Sequence, residues 1–300
     1  MRQSLLLFLT LLLCPWQLMA QPSGNDADIF PNPQATQIAL LPDEVSGTSS
    51  LFWLDGRLWT CNDHGALKLF SLDTLSGAVD SVVDLGVTVY DLEEVTLDSG
   101  YLYFGDFGDN KGVRSDLRIL RLARRNLAAG RFLFDTIAFH YPERTEIWAR
   151  NFDCEAFVAG ADSLYLFTKQ WISHNSVCYV LPKEPGSYAA SRYFTLYVGG
   201  LVTGACYLPD QRCLVLLGYS MLVKPFVYLV DGFDDERFDQ GLHRRTALAN
   251  PVATQTEGIA SLDGIHFFLT HETLDLRIFS RKAALLRLDL SDFPRESNIR

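Results

Sequence analysis

The sequence predicts an all-β protein: a β-propeller of five blades, with six as the alternative count, closed by an N-terminal strand. Three observations carry this. A meander of three short strands recurs five times along the 300 residues. The matching starts, Ser46, Glu93, Glu155, Thr203 and Glu257, lie 47, 62, 48 and 54 residues apart, the size of a four-stranded blade with loop insertions. No long helical pattern interrupts the copies, and only residues 124–129 (RRNLAA) read as a short helical turn.

The copies span residues 46–73, 91–122, 153–181, 203–230 and 256–290. Each has a small or acidic start, an apolar strand, an Asp/Gly/Pro turn, an aromatic-rich strand, a polar loop and a third strand. Between copies, residues 79–85, 132–140, 193–198 and 244–249 supply a fourth strand. The last copy has none after it. The spare strand at 35–41 fills that place, closing the ring and removing open sheet edges. A sixth blade would have to lie in the long span 123–151.

Residues 1–20 read as a removed signal peptide: a positive start at Arg2, an apolar run over 5–14 and a small-residue cleavage site ending at Ala20. That run is short for a bilayer, and no later segment is apolar for long enough to span one. A lipid anchor at Cys14 would want a small residue where Leu13 stands. Residues 21–34 are a polar linker, 35–290 a single propeller domain and 291–300 a C-terminal tail. The expected protein is exported, periplasmic or extracellular, and monomeric. Its net charge of −10 and pI of about 5.0 exclude nucleic acid as a partner and suit a cation.

Export permits disulfides. Five cysteines follow the signal peptide, so at least one stays outside any internal bridge. Cys206 and Cys213 flank a turn at Pro209-Asp210. A hairpin pairing 206 with 213, 207 with 212 and 208 with 211 sets them opposite and predicts a disulfide. The alternative is two buried thiols.

In each copy the start of the first strand lies beside the end of the second. Glu93 then faces Asp106, Glu155 faces Lys169, and Glu257 faces Thr270 or His271. First strands line a propeller's channel. One mouth is therefore expected to gather Glu93, Glu155, Glu257, Asp63, Asp106, Lys169, Tyr219 and His271. Carboxylates crowded there repel unless a cation or base sits among them. Glu93, Glu155, Glu257 and Asp106 are the candidate ligands for a divalent cation, calcium favoured by the all-oxygen set; no other cofactor is implied. Lys169 and His271 are the candidate acid/base or anion-clamp groups. Alternatively, the Glu residues bond backbone N–H groups and are neutralised by Lys169 or His271. The acids stand on three blades only, since Ser46 and Thr203 replace them elsewhere, which suits a specific pocket. The loop 105–116 lacks EF-hand spacing, and its Lys111 and Arg114 can pair with the acids. Nucleophile-elbow, Walker, dinucleotide and zinc signatures are absent.

Three segments resemble one group of exported bacterial β-propeller proteins. DLEEVTLDSGYLYFGDFGDN with RSDLRILRL resembles that group's D-W-E-D-I-A, L-Y-x-G-D-x-G-D-N and I-Y-R pattern. HYPERTEIWARNFDCEAFVAGADSLYLFTKQ is similar to its Y-P-D-G, D-x-E-A-L and L-Y-x-V-T-K pattern, and QTEGIASLDGIHFFLTHE to Q-x-E-A-I with L-Y-x-x-S-E. Glu94 stands where the group has Asp, and the Asp-Gly turn after Tyr141-Pro142 is missing. The resemblance implies the fold and export, and no established activity. Calcium-dependent phytases and metal-dependent lactonases are analogous at fold level only. The expected function is binding of a ligand, cation or partner at the acidic mouth. A metal-dependent hydrolase of phosphoesterase or lactonase type and a structural cell-surface interaction module are the alternatives, so whether it is an enzyme stays open.

Overall fold

The structure, a computed structural model, describes residues 32–250, 255–276 and 279–293. The signal-peptide reading, most of the linker and the end of the tail lie outside them. Five antiparallel sheets are arranged as a propeller. From the axis outward, blade one is Thr48–Leu54, Arg57–Asn62, Gly65–Leu72 and Val79–Val89. Blade two is Leu92–Leu97, Tyr101–Asp106, Arg118–Ala123 and Phe134–His140. Blade three is Cys154–Ala159, Ser163–Thr168, Ser176–Pro182 and Ser191–Leu196; blade four is Leu201–Leu208, Cys213–Tyr219, Pro225–Asp231 and Leu242–Ala247. Blade five is Thr256–Ser261, His266–His271 and Ala284–Asp289, completed outermost by Thr36–Leu40.

That N-terminal strand closes the ring as expected, with Thr36 opposite Arg287 and Leu40 opposite Ala284. The five inner strands pack on one another in blade order, the fifth returning to the first. Five buried clusters result, one at each blade interface, built from the inward positions of facing sheets. Phe238, fully buried, wedges between blades three and four against Tyr165, Phe167, Tyr207 and Phe233.

The span 123–151 holds no further blade: Arg124–Ala128 is a short helix and Phe134–His140 is blade two's outer strand. Among the described residues, only blade two gains a fifth strand. Gly186–Ala189, in the link between the third and outer strands of blade three, runs parallel to Phe134–His140, Gly186 facing Ile137 and Ala189 facing His140.

The Cys206–Cys213 bridge is not formed. Cys206 faces Val215, and Leu208 faces Cys213. The turn takes four residues, a 3-10 segment Pro209–Gln211 followed by Arg212 in the left-handed region (φ 48°). The two-residue turn read from Pro209-Asp210 would have set the register two positions tighter. Both thiols are buried in the interface of blades four and five.

Candidate functional site at the channel mouth

Every inner strand breaks register near its start. The breaks fall between Thr48 and Ser50, Leu92 and Glu94, Cys154 and Ala156, Val202 and Gly204, and Thr256 and Ile259. A bulge re-aims the extra residue out of the ladder. The residues so re-aimed are Ser49, Glu93, Glu155, Thr203 and, with Gly258, Glu257. The sequence alignment is thereby confirmed on four blades and shifted on one: Ser46 ends a 3-10 turn (Asp43–Val45), and Ser49 takes its place.

In blades two and three an acid also precedes the bulge by two residues, on the same side of an extended strand. Between Asp91 and Glu93, and between Asp153 and Glu155, the fully buried Leu92 and Cys154 point into the blade interfaces. Glu93, Asp153 and Glu155, all buried, present carboxylate oxygens within 4.8 Å of one another. Asp153 accepts hydrogen bonds from the Asp109 N–H (2.8 Å) and the Trp171 indole N–H (2.9 Å).

Asp63, Asp91, Glu257 and Glu272 extend the group to seven mutually interacting carboxyls. Burial, then the charges of Glu155, Asp91, Asp153 and Glu257, raises Glu93 well above the ordinary carboxyl range. Burial and Asp153 push Asp91 up to about 7. Burial and Asp63 push Glu272 up to about 7. Glu155 rises to about 8 through burial, although Lys169 opposes the shift. Lys169 is 2% exposed and donates to Glu155. Burial disfavours its charge, but Glu155, Tyr219 and Asp153 outweigh that and hold it a cation. Its ammonium lies 4.8 Å from the Trp171 ring centre and 5.4 Å from that of Tyr219, a cation–π arrangement. Among the described residues Lys169 is the one ammonium set among these carboxyls, and Asp91, Glu155 and Glu272 keep protons into the neutral range when no cation is bound.

Two expected members are placed differently. Asp106 is fully buried, and its oxygens accept from the Tyr90 and Asp91 N–H groups and from Arg114 and Arg118. It anchors the connector entering blade two and has no place in the close triad. His271 turns away from the mouth because Glu272, one residue later, takes the inward position. His271 Nδ1 contacts the Glu272 carbonyl (3.1 Å), and its ring lines a cavity of about 260 Å³ with Ala35, Asn250 and Leu286. Arg114 pairs with Asp106 and Asp116 rather than with the triad. Glu94 follows the bland reading: its two oxygens accept the Val95 N–H (3.0 Å) and, from blade four, the Ala205 N–H (3.1 Å).

Gly108 makes room for the acids. A Cβ there would stand 1.9 Å from Glu93 Oε1 and 2.6 Å from Asp91 Cγ. Gly108→Ala is expected to displace both carboxyls and to weaken any cation bound by them about tenfold or more, read by calorimetric titration, with the far-UV spectrum unchanged.

No protein-family model and no curated protein matches the chain. Solved structures do resemble it. An exo-β-1,3-galactanase from Phanerochaete chrysosporium, solved with galactose, aligns at 9% identity over 87% of this chain and 65% of that one, TM-score 0.53. A putative oxidoreductase (glucose dehydrogenase) from Thermus thermophilus aligns at 12% identity over 85% and 99%, TM-score 0.45. A GH43_1 enzyme from Xanthomonas citri aligns at 12% over 85% and 90%, TM-score 0.46. At these identities the likeness is one of fold. Among the described residues no helix is long and apolar enough to cross a membrane.

Sequence reasoning missed Asp91, Asp153, Glu272 and Gly108 as site residues. The signal for the first two was present: Asp91-Leu92-Glu93 and Asp153-Cys154-Glu155 repeat one D-x-E pattern at equivalent starts.

Proposed function

We propose that this protein is an exported propeller that binds a divalent cation, calcium by preference, at the acidic mouth of its channel. The carrying observation is the buried triad Glu93, Asp153 and Glu155, with oxygens within 4.8 Å. Oxygen-only donors suit a hard ion of variable coordination. Glu257, Glu272, Asp91 and Asp63 add further negative charge around the triad, which favours a cation there. The ion would replace protons that the crowded carboxyls otherwise hold.

The test is thermal melting and calorimetric titration with calcium, magnesium and manganese. Calcium is expected to raise Tm and to bind with proton release; Glu93→Gln with Asp153→Asn is expected to abolish both. If no divalent ion moves Tm in the parent, the reading fails. The pH dependence has a definite sign. Between about pH 5 and 8 the folded protein holds protons on Asp91, Glu155 and Glu272 that the unfolded chain has released, so metal-free stability falls as pH rises. Calcium affinity rises over the same window, because its binding expels those protons. A metal-dependent hydrolase would use the same ion. Turnover of phosphoester or lactone probes that requires calcium and is lost in Glu155→Gln would convert the binding reading into a catalytic one.

A further inference from the structure

Half of the large apolar side chains exposed among the described residues gather at one end of the propeller. Tyr90 is 69% exposed, Trp148 64%, Ile172 73%, Tyr197 78% and Leu222 77%. Tyr90, Trp148 and Tyr197 lie in the connectors that enter the inner strands of blades two, three and four. Ile172 and Leu222 lie in the loops that leave the second strands of blades three and four. All five stand at the end where inner strands begin, which is the acidic mouth. The blades that supply this rim include the two that supply the triad.

The rim is built to hold its shape. Trp148 has φ 70° and Val223, beside Leu222, has φ 53°, a region costly for bulky and β-branched residues. The Trp148 N–H donates to the Gly112 carbonyl (2.6 Å) and the Val223 N–H to that of Ser220 (2.7 Å), which fixes both turns. Apolar groups held outward in strained turns are preorganised for contact.

Charge selects the occupant. An acidic mouth repels nucleic acid, an anionic lipid surface and the mouth of a second copy. It attracts a basic group, and the site already seats cations of its own on aromatic faces: Lys169 over Trp171, and Arg150 at 4.4 Å over the same ring. We infer that the mouth and its rim form a docking surface for a partner polypeptide. A lysine or arginine of that segment enters the acidic mouth, and apolar residues on either side of it cover Trp148, Tyr197 and Leu222. This inference rests on the mouth being a cation-binding site, though not on calcium being the cation.

The test is an immobilised array of randomised peptides of about ten residues, probed with the folded protein. Enrichment of peptides with Lys or Arg between apolar residues is expected. The Trp148→Ser/Leu222→Ser double variant should bind the enriched peptides at least about tenfold more weakly while keeping the parent's calcium response. Absence of enrichment, enrichment of acidic or uncharged peptides, or unchanged binding by the double variant would each overturn the proposal. Peptide binding by a parent that ignores divalent ions would remove the calcium reading alone.

Discussion

A chain lacking residues 32–41 is expected to melt far below the parent and to aggregate. The strand Thr36–Leu40 is the outer cover of blade five, and with it go two buried anchors, Ala35 and Leu41. Ala35 is also held at both backbone groups by Asn250, at 2.9 and 2.7 Å. Burying an aliphatic side chain of leucine size contributes about 1.5–3 kcal/mol, and each lost ladder bond adds roughly 1 kcal/mol. A loss of about 5 kcal/mol is a large part of the 5–15 kcal/mol that a domain commonly has. The deletion also bares the outer edge of Ala284–Asp289, a template for association between copies. Denaturant melts and light scattering check this. A peptide of residues 32–42 added in trans should restore much of the stability by strand addition. Should the truncated chain melt like the parent, ring closure has been assigned to the wrong strand.

Lys169→Met should produce the second large effect, and one that depends on pH. The ammonium is buried between Glu155 and the Tyr219 and Trp171 rings. Removing one partner of a buried ion pair costs about 3–5 kcal/mol when the other stays charged. Glu155 can avoid that cost by keeping its proton, and without Lys169 its pKa climbs further above 8. The variant should therefore be only mildly destabilised near pH 6 and lose about 1.4 kcal/mol more by pH 9, one proton's linkage per pH unit above the parent's value of about 8. Adding Glu155→Gln should recover most of the loss at the higher pH. Urea melts of the three proteins at both pH values decide the matter; equal destabilisation at each pH would mean that packing alone, and not charge, holds Lys169.

The sequence made the blades legible because each repeats the same order of turn and strand, and because a fifth copy without a fourth strand pointed to the spare strand near the N-terminus. The acids Glu93, Glu155 and Glu257 were legible for the same reason. What it hid was local backbone geometry. A bulge adds a residue without any compositional mark, so the inward positions near it shift by one. His271 ends a regular strand facing away from the mouth, and Glu272, just past it, carried no mark of its inward turn. Arg212 sits at positive φ without being a glycine, asparagine or aspartate that would advertise it, so a four-residue turn passed for a two-residue one and misplaced Cys213. Asp106 looked like a ligand because its strand position is right; two arginines from the following loop and strand, Arg114 and Arg118, take its oxygens.

The parallel strand Gly186–Ala189 ties two blades into one cooperative unit. It leaves blade three to complete blade two, and the tie is fastened at its start: Arg121 of blade two donates to the Lys183 carbonyl at 2.9 Å, while the Lys183 ammonium reaches Asp98 of blade two and the Gly160 and Ala161 carbonyls of blade three. Neither blade can open its outer edge without disturbing the other. In amide hydrogen exchange the outer strand of blade two should thus open together with blade three, as a single subglobal event. The triad of Glu93, Asp153 and Glu155 is contributed by these two blades alone, so its three carboxyls are held on one rigid block even when the rest of the ring breathes.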